Sequence, residues 1–406
     1  MFFYVRALEI TAKFAARLGQ AADATYYSGM ATAARTLYKK TFFNATTGCY
    51  AGCTYVSQVM ALNLGLSGPQ GSAEEAAVWA NAMAWWANDT VKGVPEHFGG
   101  GIISLKLAYP LLDAHGETAL ALRMHLQSDK PPGFGYWVKV GGATTLWEQY
   151  DMTATEGVSS RNHIMFGAAG SWYFSTLAGL GRVGGSRSWQ NLAISPPRTR
   201  DVFAQLSYAS ASIDSTMGLV SSGWEVSGIS AQGDACGTAP EAAKTLTLTC
   251  KGAGKTFTGV AFASYGTPLG SCSGGWTADP TCNANTSVSV VAAACVGKST
   301  CTLSVSNDAF GFDPCFDVTK VLAVALEGEG CSDVSFASTV AIPTGAAATV
   351  AIPAALASSP TITEGGTVVW SNGAYAPGVA GITGAQLVGD AVVFSVGSGE
   401  YNFVAK

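Results

Sequence analysis

Eight of the ten cysteines, Cys236, Cys250, Cys272, Cys282, Cys295, Cys301, Cys315 and Cys331, fall within one short stretch of the chain. The other two, Cys49 and Cys53, stand far upstream. An even number of cysteines at this density marks a small module that staples what its core is too small to hold, in an oxidising compartment. Eight cysteines admit roughly a hundred pairings, so spacing alone leaves the connectivity open. Cys49 and Cys53 are either a local bridge or two free thiols. Three N-x-S/T triplets, at Asn44, Asn88 and Asn285, agree with an oxidising compartment. The first residues, Met1-Phe-Phe-Tyr-Val-Arg6, lack a basic n-region and run straight into helical periodicity, so they are no signal peptide. The expectation is a secreted, secretory-pathway or cell-surface protein whose export signal and further sequence lie upstream.

The rest of the composition removes several classes. A chain of 406 residues is too long for one compact domain. With 48% hydrophobic and 12% charged residues it is not a disordered chain. A net charge of −5 argues against a nucleic-acid partner, which demands a clustered basic surface. No apolar run is long enough to cross a bilayer, so no membrane partner is expected.

Three textures follow along the chain. Residues 1–180 read as six or seven helices with no convincing strand. Leu8, Ala12, Ala15 and Leu18 share a face that closes at Gly19, and Asp23 is placed to cap the helix of Tyr27, Met30, Ala34 and Leu37. Ser72-Ala-Glu-Glu75 reads as a capping box before Val78, Trp79, Met83 and Trp86. Further apolar runs extend from Ile102 to Leu112, closing at Gly116, and from His163 to Leu180. After Gly181 short β runs take over, separated by Gly, Pro and Ser, and Val392–Val396 with Tyr401–Val404 reads as a terminal hairpin about Gly397-Ser-Gly399. Because β texture flanks the cysteine-dense segment on both sides, residues 231–331 are expected to be a domain inserted between two parts of a β-sandwich, 181–230 and 332–406.

The chemistry concentrates around Gly141-Gly-Ala-Thr-Thr-Leu-Trp147-Glu148-Gln-Tyr-Asp151, with Asn162-His163 beyond it and Pro131-Pro-Gly-Phe-Gly-Tyr-Trp137 before it. A carboxylate among indoles, approached by an imidazole, suits sugar hydrolysis, because aromatic faces stack on the C–H faces of a pyranose while the carboxylate activates water. A Trp–Glu pair at a loop–helix junction equally serves as a charge on the helix dipole, and a lone His as a core residue.

These blocks, with Glu96-His97-Phe-Gly-Gly-Gly101, Leu112-Asp-Ala-His-Gly116, Asn162-His163-Ile-Met-Phe-Gly167 and the run Trp172 to Gly179, resemble the C-terminal half of a glycoside hydrolase family 78 α-L-rhamnosidase. The likeness runs from residue 1 to about 225 and resumes from about 334 to 405. It implies an (α/α)6 barrel, of which 1–180 would be the C-terminal half, followed by a β-sandwich, and an inverting mechanism on terminal α-L-rhamnosides. It implies Glu148 as the general base, His163 as a sugar contact, and Trp137, Trp147 and His97 as further substrate-binding residues. Two departures stand out. The interval from Glu148 to His163 is shorter than in the family, and the general acid that inversion requires would lie before residue 1. Asp89, Glu96, Asp113, Asp151 and Glu156 match no acid motif and read as solvated or capping charges. The upstream half of the barrel is therefore an expected partner, without which apolar helix faces would stand uncovered.

The cysteine module carries its own likeness. Phe262-Ala-Ser-Tyr265-Gly266-Thr-Pro, Gly270-Ser-Cys272, Cys295 to Cys301, Phe310-Gly-Phe-Asp-Pro-Cys315 and Thr319-Lys320-Val-Leu-Ala-Val324 resemble the SUEL-type galactose/L-rhamnose-binding lectin domain. That resemblance implies the bridges Cys236–Cys272, Cys250–Cys331, Cys282–Cys315 and Cys295–Cys301. It implies sugar binding by Tyr265, Gly266, Lys320 and Glu241, the last one residue off the family distance from Cys250. Charged side chains suit the task because each makes paired, charge-assisted bonds to vicinal hydroxyls. Thr267 replaces the Arg of the rhamnose-type turn, and Asp317 stands where a Gly is usual.

The expected fold is thus multidomain: a partial all-α barrel, then a β-sandwich interrupted by a disulfide-rich lectin domain. The expected function is α-L-rhamnosidase with a carbohydrate-binding module, its partners rhamnose- or galactose-containing glycans. The alternative is a catalytically inactive lectin on a remnant hydrolase scaffold. The four histidines, 97, 115, 125 and 163, lack zinc spacing, so neither metal nor cofactor is expected.

Overall fold

The computed structural model describes the chain except for residues 88–95, 99, 100, 132, 150, 151, 153–158, 185, 187, 231, 253, 273, 329, 333, 355 and 357–359. Asn88, Asp89, Gly99, Gly100, Pro132, Asp151 and Glu156 lie outside the described residues. The molecule divides into two compact units, Met1–Trp172 and Tyr173–Lys406.

The first unit is helical. Its longer helices are α1 (Phe2–Arg17), α2 (Ala21–Phe42), α3 (Tyr55–Asn63), α4 (Ala73–Ala87), α5 (Gly101–Ala114) and α6 (Thr118–Leu126). In α1 the buried stripe is Phe2, Val5, Leu8 and Ala15. Leu18 falls past the helix end and is 74% exposed, so it leaves the face that periodicity assigns to it. Gly19, with φ +73°, turns the chain where an L side chain would be strained. Asp23 is not the cap of α2: Gln20 holds that position, and Asp23 sits inside the first turn, where its charge still favours the helix dipole.

The capping box of α4 forms with a shift. Ser72 Oγ accepts the Glu75 N–H at 3.4 Å, but the Glu75 carboxylate reaches back to the N–H of Gly71, at 2.9 Å. One short strand pair, Phe43–Asn44 with Cys49–Tyr50, interrupts the helices. Cys49 and Cys53 are disulfide-bonded beside it. Gln58, wholly buried, accepts the Tyr50 N–H and donates to the Tyr50 carbonyl, which fixes this corner onto α3. The run from His163 to Leu180 is not a regular helix. It passes through a 3-10 turn (Ile164–Ala168), one α turn (Ala169–Trp172) and a π turn (Tyr173–Leu177).

The second unit is built on two sheets. One has seven strands in the order Ala374–Tyr375, Thr367–Ser371, Ile362–Glu364, Gly399–Ala405, Ser335–Ile342, Gly218–Ser227, Tyr208–Ser215. The other has five, Ile382–Val388, Ala391–Val396, Ala347–Pro353, Asn191–Ile194 and Leu180–Arg182. Alternating apolar residues from both close one core around Trp224, Phe336, Val350, Phe394 and Phe403. The expected terminal hairpin is corrected here. Ala391–Val396 pairs within the five-stranded sheet, while Gly399–Ala405 pairs with Ser335–Ile342 in the other. The turn between them crosses layers, because both strands bury one face and local alternation reads the same for an arch as for a hairpin.

Between Gly218–Ser227 and Ser335–Ile342 the chain makes the cysteine-rich module. Its three-stranded sheet has Val321–Glu327 between Ala235–Pro240 and Gly259–Gly266. A second pair joins Thr245–Thr249 to Thr300–Ser304, and the helix Ser287–Cys295 packs beside them. The core holds Phe257, Tyr265, Phe310, Leu322, Val324 and Leu326. The disulfides are Cys236–Cys272, Cys250–Cys331, Cys282–Cys315 and Cys295–Cys301, the pairs the lectin resemblance implies.

Cys250–Cys331 closes the longest loop, with a sequence separation of 81. Replacing both by Ser is expected to lower the module's unfolding free energy by about 4 kcal/mol, the chain-entropy scale for such a loop. Denaturant unfolding followed by fluorescence would check it, and an unchanged midpoint would contradict it.

Candidate functional site

In the helical unit, Glu148 sits on a two-stranded clip. The His163 N–H donates to the Leu146 carbonyl at 2.8 Å, and the Glu148 N–H donates to Ser160 O at 2.9 Å. The Ser160 N–H in turn donates to Glu148 Oε2 at 2.9 Å, and Thr145 Oγ1 donates to the Arg161 carbonyl. One carboxylate oxygen is therefore held by backbone while the residue stays exposed, an arrangement able to accept a proton from a water. The clip brings His163, which is half-buried, and Glu148 onto the same pair of segments.

Behind the clip lies a sealed aromatic cluster. Trp137 stands 6.1 Å from Trp147, 5.5 Å from Phe166 and 5.4 Å from Phe134, between ring centroids. Trp137 Nε1 donates to the Gln149 carbonyl at 3.0 Å, tying the cluster to the Glu148 segment. Gly141 is required here, since a Cβ would lie 2.9 Å from the Trp147 ring. Trp137, Trp147 and His97 are each only 2% exposed. Their expected role as sugar contacts is corrected: they are interior side chains, Trp137 and Trp147 packed under the Glu148 segment and His97 lying 5.7 Å from Trp85 between ring centroids.

Among the described residues, three carboxylates of this unit are engaged with partners of their own. Glu96 takes a two-pronged bond from Arg123, at 2.8 and 2.9 Å. Asp113 accepts from Trp172 Nε1 and from Thr118 Oγ1. Glu75 binds His115 Nε2 at 2.7 Å. His125, hydrogen-bonded to the Tyr109 hydroxyl at 2.8 Å, is pushed down to about 4 by burial and stays neutral near pH 7.

In the cysteine-rich module, Tyr265, Glu241 and Lys320 converge, although they come from different segments. Antiparallel pairing sets Val321 opposite Gly266 on one side and Pro240 on the other, which brings all three to one end of the sheet. The Tyr265 hydroxyl lies 2.9 Å from Glu241 Oε1, to which it donates, and 2.9 Å from Asn307 Oδ1. Its ring is wholly buried and stacks on Phe310 at 4.5 Å. Burial, then the bond to Glu241, raises its pKa, so it remains a donor. Tyr265 is thus a positioning residue for Glu241 and Asn307 rather than a surface contact.

Lys320, 4% exposed, ends 2.8 Å from Asp313 Oδ1. That hydrogen bond, joined by the Cys315 N–H and Asn307, holds the Asp313 carboxyl below its ordinary 3.8. Gly266 is structural, because a Cβ there would meet the Cys282 carbonyl oxygen at 1.9 Å. Sequence reasoning missed Asn307 and Asp313 as members. Asp313 was legible in the Asp-Pro-Cys motif, but Asn307 has no local signal. Together Glu241, Asn307, Asp313 and Lys320 make an alternation of acceptors and an ammonium donor that matches neighbouring hydroxyls.

Among the described residues no group of three or more His, Cys, Asp or Glu is arranged to hold a metal ion, and no helix is long and apolar enough to cross a membrane.

Lowered in the folded state, the Asp313 group binds its proton less tightly than in the unfolded chain. Its contribution is complete above pH 4 or so and is lost on further acidification. Asp313→Asn is expected to remove that acid-side dependence from the module's melting temperature. A slope below pH 4 identical to that of the parent would contradict it.

Comparison with known proteins follows the same division. Residues 1–177 match the bacterial alpha-L-rhamnosidase 6 hairpin glycosidase domain, and residues 248–328 match the D-galactoside/L-rhamnose binding SUEL lectin domain. An alpha-L-rhamnosidase of Streptomyces avermitilis is 26% identical over 231 residues, covering 55% of this chain and 20% of its own length. One from Formosa agariphila is 25% identical over 231 residues, covering 55% of this chain and 23% of its own. The chain therefore spans less than a quarter of the length of these relatives. Beta-galactosidase 6 of rice is 42% identical over 79 residues, 20% of this chain and 9% of that protein. The solved alpha-L-rhamnosidase from Dictyoglumus thermophilum superposes with a TM-score of 0.60 at 19% identity, covering 100% of this chain and 31% of that one. The Streptomyces avermitilis enzyme complexed with L-rhamnose gives 0.58 at 18%, covering 100% and 26%. At such identities the superpositions establish the fold. Residues 1–177 are thus similar to the bacterial α-L-rhamnosidase six-hairpin glycosidase domain, and a SUEL lectin domain is set into the β-rich part that follows.

Proposed function

We propose that this chain is the carbohydrate-handling C-terminal portion of a secreted, inverting α-L-rhamnosidase, with its lectin domain retaining galactose- or rhamnose-bearing glycans near the catalytic domain. Glu148 acts as general base: Oε2 is anchored by the Ser160 N–H, and Oε1 takes the proton of the attacking water. His163 contacts the sugar, and Trp137 and Trp147 hold the base segment in place. The observation that carries the reading is the clip that fixes an exposed carboxylate by a backbone donor inside the family-matched region.

An inverting reaction needs a second carboxyl roughly 6.5–9.5 Å away to protonate the leaving oxygen. Glu75, Glu96 and Asp113 are committed to structural partners, as described above. A six-hairpin domain comprises twelve helices, whereas six helices of nine or more residues occur among the described residues of the first unit. The reading thus calls for an acid other than these three, and α1 offers Phe3, Tyr4, Ile10 and Phe14, each at least half exposed, as a face on which further hairpins would pack.

In the complete six-hairpin protein, Glu148→Gln is expected to lower kcat on an aryl α-L-rhamnoside by about 10³-fold or more, with unchanged circular dichroism. Retention of more than a tenth of the activity would remove Glu148 from the base position. The second reading, a sugar-binding protein without turnover, is favoured by the completeness of the Glu241–Asn307–Asp313–Lys320 network. Retention on a galactose or rhamnose column, with no hydrolysis by either the present or the longer chain, would establish it.

A further inference from the structure

The loop Gly311–Thr319 carries both a member of the polar network and an unusual display of apolar side chains. Phe316 is 91% exposed, Phe312 44% and Val318 42%. Single exposed apolar residues are ordinary, but three within seven positions form a patch. The patch does not serve the core. Phe310, two residues before Phe312, is the ring that packs on Tyr265, whereas the Phe316 ring is left to water.

The loop is also held stiffly. Gly311 (φ +87°), just before Phe312, and Asp317 (φ +58°), between Phe316 and Val318, turn it through the left-handed region. Cys315 is bridged to Cys282, and its N–H donates to Asp313 Oδ1 at 3.0 Å. Asp313 is itself clamped to Lys320 at 2.8 Å. A ring shown on a pre-ordered loop binds a ligand without an ordering cost. Phe316 stands three positions after Asp313, so its Cα lies within about 11 Å of that of the network carboxylate at full extension. That is a distance a ring attached to the bound sugar spans, not one that needs a separate ligand.

We propose that Phe316, flanked by Phe312, forms an aglycone subsite that takes the flat face of an aromatic ring glycosidically linked to the sugar held by Glu241, Asn307, Asp313 and Lys320. The lectin domain then prefers aryl glycosides over the free or methylated sugar. The preference is the stacking contribution of one aromatic pair, a factor of about 3 to 10 in affinity. This rests on the polar network being a sugar site, and the test separates the two.

The probes are methyl and phenyl 1-thio-β-D-galactopyranoside and the corresponding thio-α-L-rhamnopyranosides, whose sulfur linkage resists hydrolysis. Titration calorimetry on the full chain is expected to show the phenyl member of at least one pair binding about 3 to 10 times more tightly. Phe316→Ala should bring that ratio to about 1 while methyl glycoside affinity changes less than twofold, and Phe316→Trp should keep or raise the ratio. Near-complete exposure of Phe316 makes both variants foldable, and unchanged thermal unfolding would verify it. Equal affinity of the parent chain for methyl and phenyl probes overturns the subsite and leaves the sugar site standing. So does a Phe316→Ala variant that weakens both probes alike or neither. Binding of no probe at all overturns the sugar site, and the subsite with it.

Discussion

Seven antiparallel residue pairs, from Ser227 opposite Ser335 to Ser221 opposite Ala341, are the constraint on which the second unit depends. They place the strand that leaves the sandwich beside the strand that returns to it. To the sandwich, the whole lectin domain is therefore one excursion between neighbouring strands. The entry is clamped by Arg200, whose guanidinium reaches Asp234 Oδ1 at 3.0 Å and Ser332 Oγ at 3.1 Å, binding both ends of the insertion. With its ends so fixed, the inserted module can keep a core and disulfides of its own without disturbing the sandwich.

Inside that module a buried hydroxyl organises the surface. Tyr265 has one proton and two oxygen neighbours, Glu241 and Asn307, and its ring is fixed by Phe310. The Asn307 amide continues the network to Asp313, and Asp313 to Lys320. Burying a lysine that lacked a partner would be costly, so the Asp313 carboxylate holds Lys320 in place. The same loop carries Phe316 into solvent, which sets an apolar side chain a few residues from the polar network.

The helical unit repeats the logic with different materials. Trp137, Trp147, Phe134 and Phe166 form a rigid base, and the backbone clip above it sets Glu148 outward. Rigidity beneath and exposure above fix where the carboxylate stands, so that its position does not depend on solvent fluctuations. Indoles that look like sugar platforms in sequence are here the foundation of the Glu148 loop.

The cysteine cluster, the helical periodicity of residues 1–126 and the alternation of the sandwich strands were legible in the sequence, since each is a local pattern of apolar or reactive side chains. Glu148, Tyr265 and Lys320 stand in recognisable blocks, and that is what singles them out in the sequence. The Gly397-Ser-Gly399 turn was misread because alternation does not say in which sheet a strand finds its partner. Leu18 and Asp23 were misplaced by a few residues because helix ends are set by caps and glycine turns more than by periodicity. The exposure of Trp137, Trp147 and His97, and the membership of Asn307, were not legible at all. The sequence by itself determined which elements form and which chemical groups are at hand. Tertiary structure decided which faces those groups show to water and which distant residues meet, because burial and side-chain pairing arise only when segments far apart in the chain are packed together.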